Sequence, residues 1–421
     1  MFSSIPKDWK RVPLSSVSER MKRRNSAGNT NVLTISAVHG LVNQKDFFNK
    51  IVASDNLSNY FHLKKGDFAY NKSYSHGYPV GVVRRLEMYD EGVLSPLYIC
   101  FSMKGEGVDD KFAVYFFDSH WFVEEVNEIA KEGARNHGLL NVGVGDFFDL
   151  DFVLPPLPEQ QKIAAILSSV DDVIEKTRAQ IDKLKDLKTG MMQELLTKGI
   201  GHTAFKDSPV GRIPEGWDVL PLDSVVNRII DCEHKTAPYV ESSEYMVVRT
   251  SNVKNGQLVR EDMRFTTEGG FNEWTRRAVP SVGDVLFTRE APAGESCMVP
   301  EGVKVCMGQR MVLLRPDSEK VYPSFFSLFL TSERAKLEIY ELSIGTTVTR
   351  INIEDIRRIL CIVPPLEEQK AIYSKIQSVQ LLISAKEEQE KGQSSMKKAL
   401  MQDLLTGKVR VNVDNKENAV A

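Results

Sequence analysis

Three short sequence blocks occur twice in this chain, in the same order and at nearly the same spacing. They pair 5–9 (IPKDW) with 213–217 (IPEGW), 154–162 (LPPLPEQQK) with 363–370 (VPPLEEQK), and 191–197 (MMQELLT) with 400–406 (LMQDLLT). The offsets are 208 or 209 residues, and the second proline-rich block looks one residue shorter inside the motif. Such a period indicates that one structural unit is present twice.

Between these blocks the two halves diverge. Residues 65–68 (KGDF) and 282–285 (VGDV) look equivalent, but their offset is 217, so the loops before them differ in length. An old duplication with drift would produce this pattern. We favour the alternative, in which constant parts hold the architecture and variable parts recognise different targets.

Length and charge narrow the possible classes of protein. A chain of 421 residues exceeds the size at which a single core stops growing, so two or more domains are expected. Its 42% apolar and 26% charged residues are typical of a globular protein. The net charge of -3 lacks the basic surplus of a small DNA-binding module, so any DNA surface must be local or be supplemented by a partner.

The cysteines and the apolar segments indicate a cytoplasmic protein without a membrane span. The five cysteines are scattered without a CxxC pair, which favours reduced thiols over disulfides or a zinc site: Cys100, Cys232, Cys297, Cys306 and Cys361. The N-terminus lacks the apolar core of a signal peptide, and no run approaches the roughly 18 apolar residues of a span.

The stretch from Pro158 to Lys198 is predicted to be one helix of roughly 60 Å, with Pro155-Pro156 before it and Gly199 after it. Its apolar seam follows 4–3 spacing, as in a coiled coil: Ile163, Leu167, Val170, Ile174, Thr177, Ile181, Leu184, Lys188, Met191 and Leu195. A second helix is predicted from Leu366 to Thr406. Its seam becomes polar in the middle, at Lys386, Glu390 and Gln393, with Gly392 beside them. That polar segment requires a polar, hydrated or shared partner surface.

Connectivity predicts that the two helices run antiparallel. The linker 199–212 reaches at most about 46–50 Å when extended, so it cannot easily carry the second globular part back along the first helix. The second globular part is therefore expected at the far end, and its own helix must return.

The globular interiors mix strand-like and helical segments. The predicted strands are 32–35, 80–83, 98–101, 245–249, 285–287 and 311–314, and the predicted helices are 111–117 and 324–330. The fold class is α+β: two pseudo-repeated domains separated by two long antiparallel coiled-coil helices. The expected boundaries are 1–153 for the first recognition domain, 154–200 for the central helix, 201–362 for the second domain, 363–412 for the C-terminal helix and 413–421 for a tail.

Enzyme motifs are missing from the sequence. Gly407-Lys408 is followed by valine and lacks the rest of a P-loop, and no HExxH or spaced Cys/His quartet indicates zinc. Pro155-Pro156 and Pro364-Pro365 lack the flanking residues of an amino-methyltransferase motif, and the spacing in 316–320 differs from that of a nuclease metal site. We expect no catalysis and no metal in this chain.

The repeated blocks resemble those of the specificity subunits of type I restriction-modification systems. The resemblance is carried by 155–167 (PPLPEQQKIAAIL), 364–376 (PPLEEQKAIYSKI), the two helix ends and the IPxxW openings, and it covers essentially the whole chain. It implies two target-recognition domains that each read half of an asymmetric bipartite site in double-stranded DNA. The paired helices would set the gap between the half-sites and dock the methyltransferase subunits.

The resemblance also implies partners and cofactors. Two methyltransferase subunits would use S-adenosylmethionine on adenine, and two restriction subunits would add ATP- and Mg-dependent translocation and cleavage. No cofactor is expected in this chain. The predicted helix exceeds one duplex turn of about 34–36 Å, which fits two half-sites with an unread gap.

Candidate DNA contacts are polar or basic residues next to strands or glycines. In the first domain they are Arg20, Lys22, Arg23, Arg24, Lys72, Tyr74, His76, Arg135, Asn136 and His137. In the second they are His234, Lys235, Arg249, Ser251, Asn252, Arg289, Gln309, Arg310, Thr346, Thr347 and Arg350. Solvated charge runs and ordinary surface turns are the alternatives. Arg249, Arg289 and Arg310 border strands and could instead pair with an acid such as Asp284 or Glu290.

Two other classes of function compete with DNA recognition. A coiled-coil adaptor that binds proteins through both globular ends would suit the acidic balance, but it would lack salt-dependent binding to duplex DNA. A stand-alone DNA enzyme is disfavoured by the missing motifs.

Overall fold

The computed structural model describes residues 5–47, 56–74, 77–105, 107–132, 140–345 and 349–413. Contacts divide the chain into two compact units. Unit 1 comprises 1–178 together with 388–421, and unit 2 comprises 179–387. Each long helix therefore contributes one half to each unit.

Unit 1 contains short strands and short helices before the first long helix. Its strands are β1 (Lys10–Pro13), β2 (Ser18–Arg20), β3 (Leu33–Ser36), β4 (Gly40–Asn43), β5 (Phe61–Lys64), β6 (Phe68–Asn71), β7 (Val82–Arg85), β8 (Glu91–Leu94), β9 (Ile99–Met103), β10 (Lys131–Glu132), β11 (Leu140–Asn141) and β12 (Asp151–Leu154). Its helices are α1 (Leu14–Val17), α2 (Gln44–Phe47), α3 (Asp110–Phe117), α4 (His120–Ile129), α5 (Val144–Asp149) and the start of α6 (Leu157–Lys198).

Unit 2 has the same plan, with more strands among its described residues. These are β13 (Phe205–Ser208), β14 (Gly211–Pro214), β15 (Asp218–Pro221), β16 (Val226–Asp231), β17 (Tyr239–Val240), β18 (Tyr245–Val248), β19 (Val253–Lys254), β20 (Gln257–Leu258), β21 (Arg264–Thr266), β22 (Val285–Thr288), β23 (Ser296–Met298), β24 (Lys304–Met307), β25 (Met311–Pro316) and β26 (Leu360–Val363). Its helices are α7 (Leu222–Val225), α8 (Glu268–Trp274), α9 (Pro323–Leu330), α10 (Glu333–Leu342), α11 (Ile353–Arg358) and the start of α12 (Leu366–Leu405), with a 3-10 turn at Thr250–Asn252.

A central antiparallel sheet recurs in both units. Its strand order is β2-β9-β6-β7 in unit 1 and β16-β25-β22-β23 in unit 2. A two-stranded antiparallel sheet, β1-β12 in unit 1 and β15-β26 in unit 2, pairs the start of each globular part with the strand that precedes its long helix. The predicted α+β repeat is confirmed, and all the strands and short helices expected from sequence are present within one or two residues.

The surrounding strands differ between the units. Unit 1 adds the two-stranded pairs β3-β4 and β5-β8, whereas unit 2 adds a four-stranded sheet, β17-β21-β18-β24, in which β18 and β24 are parallel. A second small core lies under each addition, one including Leu63 and Leu94 and the other including Val248 and Val305. The divergent sequences between the repeated blocks thus build different additions to one constant sheet.

Both long helices form as predicted, with 42 residues in α6 and 40 in α12. In unit 1 the start of α6 packs beside the end of α12, and Leu404 and Leu405 join the core around Trp9. In unit 2 the end of α6 packs beside the start of α12, and Leu196 joins the core around Trp217. Every predicted seam residue of α6 is buried or half-buried.

The two long helices run antiparallel in unit 1. Asp171 of α6 contacts Lys397 of α12 at 2.6 Å, and Arg178, seven residues later in α6, contacts Glu390, seven residues earlier in α12, at 2.7 Å.

The helices also run antiparallel in unit 2. Lys185 contacts Glu387 at 2.8 Å, and Lys188, three residues later in α6, donates to Gln380, seven residues earlier in α12, at 2.7 Å. The polar seam of α12 is thus partly neutralised across the helix pair, whereas the half-buried Gln393 has no hydrogen-bond partner for its Oε1 among the described residues.

Candidate nucleic-acid interface

The repeated sequence blocks form one hydrogen-bonded joint in each unit. Trp9 Nε1 donates to Glu159 at 2.9 Å, and Trp217 Nε1 donates to Glu368 at the same distance. Both indoles are buried, which makes them packing anchors and unavailable for stacking on bases. The joint connects the opening of each globular part to the first turn of its long helix.

A buried glutamine completes the joint and corrects one sequence interpretation. Gln160 accepts from Asp109 N at 2.8 Å and donates to Pro155 O, and Gln369 accepts from Tyr322 N at 2.7 Å and donates to Pro364 O. The two glutamines are 209 residues apart, like the proline pairs before them. The second block is therefore not shortened, because Pro158 and Glu367 occupy equivalent positions and differ only in residue type.

The central sheet of unit 2 gathers most of its candidate DNA contacts at one edge. Because β16 and β22 both run antiparallel to β25, their C-terminal ends meet its start, where Asp231 pairs with Val312 and Thr288 with Met311. Backbone bridging of Glu290 with Arg350 adds a further segment. We call residues 231–235, 289–290, 309–310 and 350 the basic edge of unit 2.

Side-chain contacts at this edge orient its cations. Arg289 Nη1 lies 2.8 Å from Asp231 Oδ2, and His234 Nε2 lies 2.9 Å from the same oxygen. Gln309 donates to His234 O at 3.2 Å, and Arg310 Nε lies 3.6 Å from Glu290. Arg289 is thus held by an acid, as the alternative interpretation expected, although by Asp231 and not by Asp284 or Glu290.

The exposed members of the edge have the chemistry of DNA contacts. His234, Lys235, Gln309, Arg310 and Arg350 are all exposed. Lysine and arginine can neutralise phosphates, while glutamine and arginine can also address base edges.

Asp231, Cys232 and His234 also place three potential metal-ligand atoms within 4.8 Å of one another. The Asp231 carboxylate is already occupied, because Arg289 Nη1 contacts both of its oxygens at 3.0 and 2.8 Å. A cation would have to compete with this guanidinium. Asp231, Cys232 and His234 are therefore better explained as an anchor that holds Arg289 in the basic edge than as a metal centre.

The same edge of the sheet exists in unit 1. Arg20 at the end of β2 pairs with Phe101, and Tyr70 near the end of β6 pairs with Ile99, so residues 20–24 and 72–74 follow neighbouring strand ends. We call these residues the basic edge of unit 1. Within it, Arg20, Lys22 and Tyr74 are exposed and Lys72 is half-buried.

Two arginines of this cluster have partners within the fold. Arg23 contacts Asp67 at 2.6 Å and donates to His62 O, while Arg24 donates to Asn59 O and lies over the Phe61 ring at 4.3 Å. Burial raises the pKa of Asp67, and hydrogen bonds and charge from Lys64 and Arg23 oppose that rise. Arg23 therefore stabilises a partly desolvated acid.

One predicted DNA contact is wrong. Asn252 is fully buried: its side chain donates to Val259 O and Glu261 O and accepts from Arg249 N. It caps the 3-10 turn and cannot reach a base. Arg249 is half-buried and donates to Asp262 O at 2.6 Å, while the neighbouring Ser251 is exposed.

Six candidate residues lie outside the described residues: His76, Arg135, Asn136, His137, Thr346 and Thr347. Their assignment as DNA contacts stays a prediction.

Sequence reasoning missed Arg277, which lies beside the basic edge of unit 2. Arg277 Nη1 donates to Asp231 O at 3.1 Å, and its Nε lies 3.4 Å from Glu233. The signal was the adjacent pair Arg276-Arg277, which follows α8 and is 46 residues from Asp231 in the sequence.

The five cysteines are free and buried. Burial raises the pKa of Cys297 to about 12, which keeps it a thiol at neutral pH. Among the described helices, none is long and apolar enough to cross a membrane.

The repeat also matches a known family. The family model described as "Type I restriction modification DNA specificity domain" matches twice, over residues 6–186 and 214–392. The chain belongs to this family of specificity subunits. The type I restriction enzyme MjaVIII specificity subunit of Methanocaldococcus jannaschii is 31% identical over 339 residues, which cover 76% of this chain and 75% of the relative.

Solved structures support the fold of this specificity subunit. One chain, from work on "complex assembly" and "conformational transition of the type I R-M system", matches 97% of this chain and 100% of its own length, with a TM-score of 0.59 and 18% identity. The type I restriction-modification system S subunit of M. genitalium matches 96% of each chain, with a TM-score of 0.53 and 14% identity. The predicted family and fold are confirmed, and sequence-specific DNA recognition follows from family membership.

Proposed function

We propose that each unit applies its basic edge to double-stranded DNA and reads one half of an asymmetric two-part recognition sequence. The observation that carries this proposal is that equivalent ends of the same central sheet carry exposed basic and polar groups in both units. Because the strands beside these edges differ, the two units would read different half-sites. Local charge also reconciles DNA binding with the overall charge of -3.

The long helices would set the gap between the half-sites and dock two methyltransferase subunits. Four exposed apolar side chains support this role, because they form two equivalent pairs: Val173 with Leu382, and Leu187 with Met396, each 209 residues apart. Their exposed fractions are 47%, 55%, 51% and 61%, respectively. A surface that recurs once in each half of the helix pair fits two copies of one partner.

In the assembled complex, catalysis would belong to the partners. The methyltransferase subunits would bind S-adenosylmethionine and modify adenine, and two restriction subunits would use ATP and Mg to translocate and cleave DNA. This chain would contribute recognition and geometry and no catalytic group.

Mapping of modified adenines tests the recognition proposal. In cells that express this chain with its methyltransferase partner, modification should occur within one motif made of two different short sequences around a constant unread gap. Modification of a single continuous motif, or unchanged modification when this chain is omitted, would contradict the proposal.

Substitution on the helices tests the docking proposal. Val173→Glu and Leu382→Glu should each reduce co-purification of the methyltransferase subunit, and together they should abolish it. Ser374→Glu places the same charge at another exposed position of α12 and should leave co-purification unchanged. Full co-purification with the double variant would remove this surface from the interface.

A further inference from the structure

Two equivalent lysines of the long helices have different electrostatic surroundings. Lys397 of α12 in unit 1 and Lys188 of α6 in unit 2 are 209 residues apart, as are their cross-helix partners Asp171 and Gln380. In unit 1 the lysine has a full counter-charge, because Lys397 Nζ lies 2.6 Å from Asp171 Oδ1. Tyr115 donates to the other carboxylate oxygen at 2.8 Å, and Lys397 lies 5.4 Å from the centre of its ring.

Unit 2 keeps the lysine but lacks the acid and the tyrosine. Lys188 Nζ donates to the neutral amide of Gln380 at 2.7 Å, and Leu328 of α9 occupies the position that Tyr115 has on α3. Among the described residues Lys188 forms no ion pair, and partial burial lowers its pKa. Glu295, which accepts from Asn255 N at 2.7 Å behind the cleft wall, has its own cation in Lys336 at 3.6 Å.

A cleft of about 210 Å³ opens beside Lys188. Its walls come from α6, α9, α12 and the β19-β20 hairpin, all within unit 2. Besides Lys188 and Gln380 it offers the amides of Asn255, Gln257 and Gln377, and Met298 lies in its apolar wall. Gln377 replaces Ser168 of unit 1 at the equivalent helix position.

The comparison between the units suggests what such a cleft would bind. Partial burial of an ammonium group costs free energy, and contacts with neutral dipoles offset only part of that cost. A negative group in contact with the ammonium offsets more of it. Asp171 supplies this group in unit 1. In unit 2 the equivalent position holds the neutral Gln380, and the cleft beside it is lined by the side chains of Asn255, Gln257 and Gln377, whose amide N–H groups can donate to an oxyanion.

We propose that the cleft beside Lys188 binds a small molecule that carries one oxyanion, a carboxylate or a phosphate, with the negative charge on the Lys188 ammonium and the polar body on the surrounding amides. A volume of 210 Å³ lies below the roughly 300–1,000 Å³ of pockets for drug-sized ligands, so the ligand is small. This site is independent of the DNA-reading edges and of the proposed recognition function.

Titration of the full chain with inorganic phosphate or acetate, at constant ionic strength, tests the proposal. The methyl group of Met298, labelled with carbon-13 and assigned through Met298→Leu, reports binding inside the cleft. We expect a saturable shift with at least one of the two anions, and the one that binds more tightly identifies the oxyanion class. Saturation with neither anion would overturn the proposal.

Gln380→Asp places a carboxylate of the protein itself beside Lys188, as Asp171 lies beside Lys397 in unit 1. It should weaken anion binding at Met298 at least tenfold, as should Lys188→Met, which removes the cation. Asp171→Asn makes a charge change of similar size at the equivalent position of unit 1 and should leave the Met298 titration unchanged. Equal affinity in the wild type and in Gln380→Asp would show that the anion is not held by Lys188 and would overturn the proposal.

Discussion

The indole of Trp217 donates a 2.9 Å hydrogen bond to Glu368 in the first turn of α12. The carboxylate of Glu368 also accepts from Ile200 N at 3.0 Å and contacts His202 Nε2 at 2.7 Å. It therefore joins three parts of unit 2: the end of α6, the opening of the globular part and the start of α12. In unit 1, Glu159 joins Trp9 to Arg410, which follows the end of α12.

This joint predicts acid sensitivity. Burial opposes ionisation of Glu368, but the hydrogen bonds from Ile200, Trp217 and His202 outweigh it and lower its pKa from the ordinary value of a glutamate. A lowered pKa stabilises the fold above the unfolded-state pKa, and this stabilisation is lost as the pH falls through the folded-state pKa. Glu368→Gln should therefore reduce the free energy of unfolding by about 1–3 kcal/mol at pH 6, with a smaller difference at pH 3.

Urea unfolding at several pH values measures this difference. Glu367→Gln is the matched control, because the neighbouring Glu367 side chain is 86% exposed and its ion pair with Lys370 lies at the surface. Surface pairs of this kind contribute little, so this variant should behave like the wild type. Equal, pH-independent effects of the two substitutions would contradict the role of Glu368.

The contacts in the basic edge of unit 1 predict that some of its cations bind DNA and that others stabilise the fold. Arg20 and Lys22 are exposed and form no ion pair among the described residues. Arg20→Ala with Lys22→Ala should weaken binding to specific and non-specific DNA alike, and should reduce the slope of log affinity against log salt by up to about 2. A changed base preference with an unchanged slope would instead indicate contacts to base edges.

Arg23→Ala should act mainly on stability. It leaves Asp67, whose side chain is 11% exposed, without its cation, and we expect a loss of about 1–2 kcal/mol in the free energy of unfolding, discounted because Arg23 is itself 41% exposed. Chemical denaturation of this variant beside the Arg20–Lys22 variant separates the two roles.

The sequence alone predicted the elements of the fold that depend on local patterns. The 4–3 spacing of apolar residues predicted α6 and the first half of α12, and short apolar runs predicted the central strands. The antiparallel direction of the two long helices also followed from the sequence, because a linker of 14 residues limits where the second globular part can start. These inferences depend on chain geometry and on burial of one face, which neighbouring residues determine.

Side-chain partners could not be predicted in the same way. Arg23 and Asp67 are 44 residues apart, and Arg289 and Asp231 are 58 apart, so only the folded sheet brings them together. Asn252 looked like a base reader because it is polar and near a strand end. It is instead used as a buried cap, which depends on the loop carrying Val259 and Glu261.

The purified chain alone should neither methylate nor cleave DNA, because the motifs for both reactions are missing from its sequence. Transfer of labelled methyl groups from S-adenosylmethionine, and nicking of a supercoiled plasmid with ATP and Mg, are the measurements. Addition of the methyltransferase subunit should restore methyl transfer. Activity of a preparation free of partner subunits would overturn the assignment of catalysis to the partners.

A fragment ending near Gly211 should form a homodimer that reads a palindrome. In the intact chain, Leu404 and Leu405 at the end of α12 complete the core of unit 1. Leu195 and Leu196 occupy the equivalent positions of α6, so the helix end of a second fragment can replace them. With the methyltransferase subunit, this dimer should modify an inverted repeat of the first half-site, with a gap close to that of the parent.

Light scattering and modification mapping check the fragment. The C-terminal half, residues 212–421, serves as the comparison. It should dimerise less tightly, because its helix has Lys386, Glu390 and Gln393 in the middle of the seam. A strictly monomeric N-terminal fragment, or modification confined to the asymmetric site of the parent, would contradict the equivalence of the two helix ends.

Exchange of residues 13–153 for the matching region of a related specificity subunit tests whether the two units read independently. The exchange leaves the Trp9–Glu159 joint, both long helices and all of unit 2 in place. Mapping of modified adenines should then show one new half-site, with the other half-site and the gap unchanged. Simultaneous change of both half-sites, or of the gap, would contradict independent reading by two units on a shared helical scaffold.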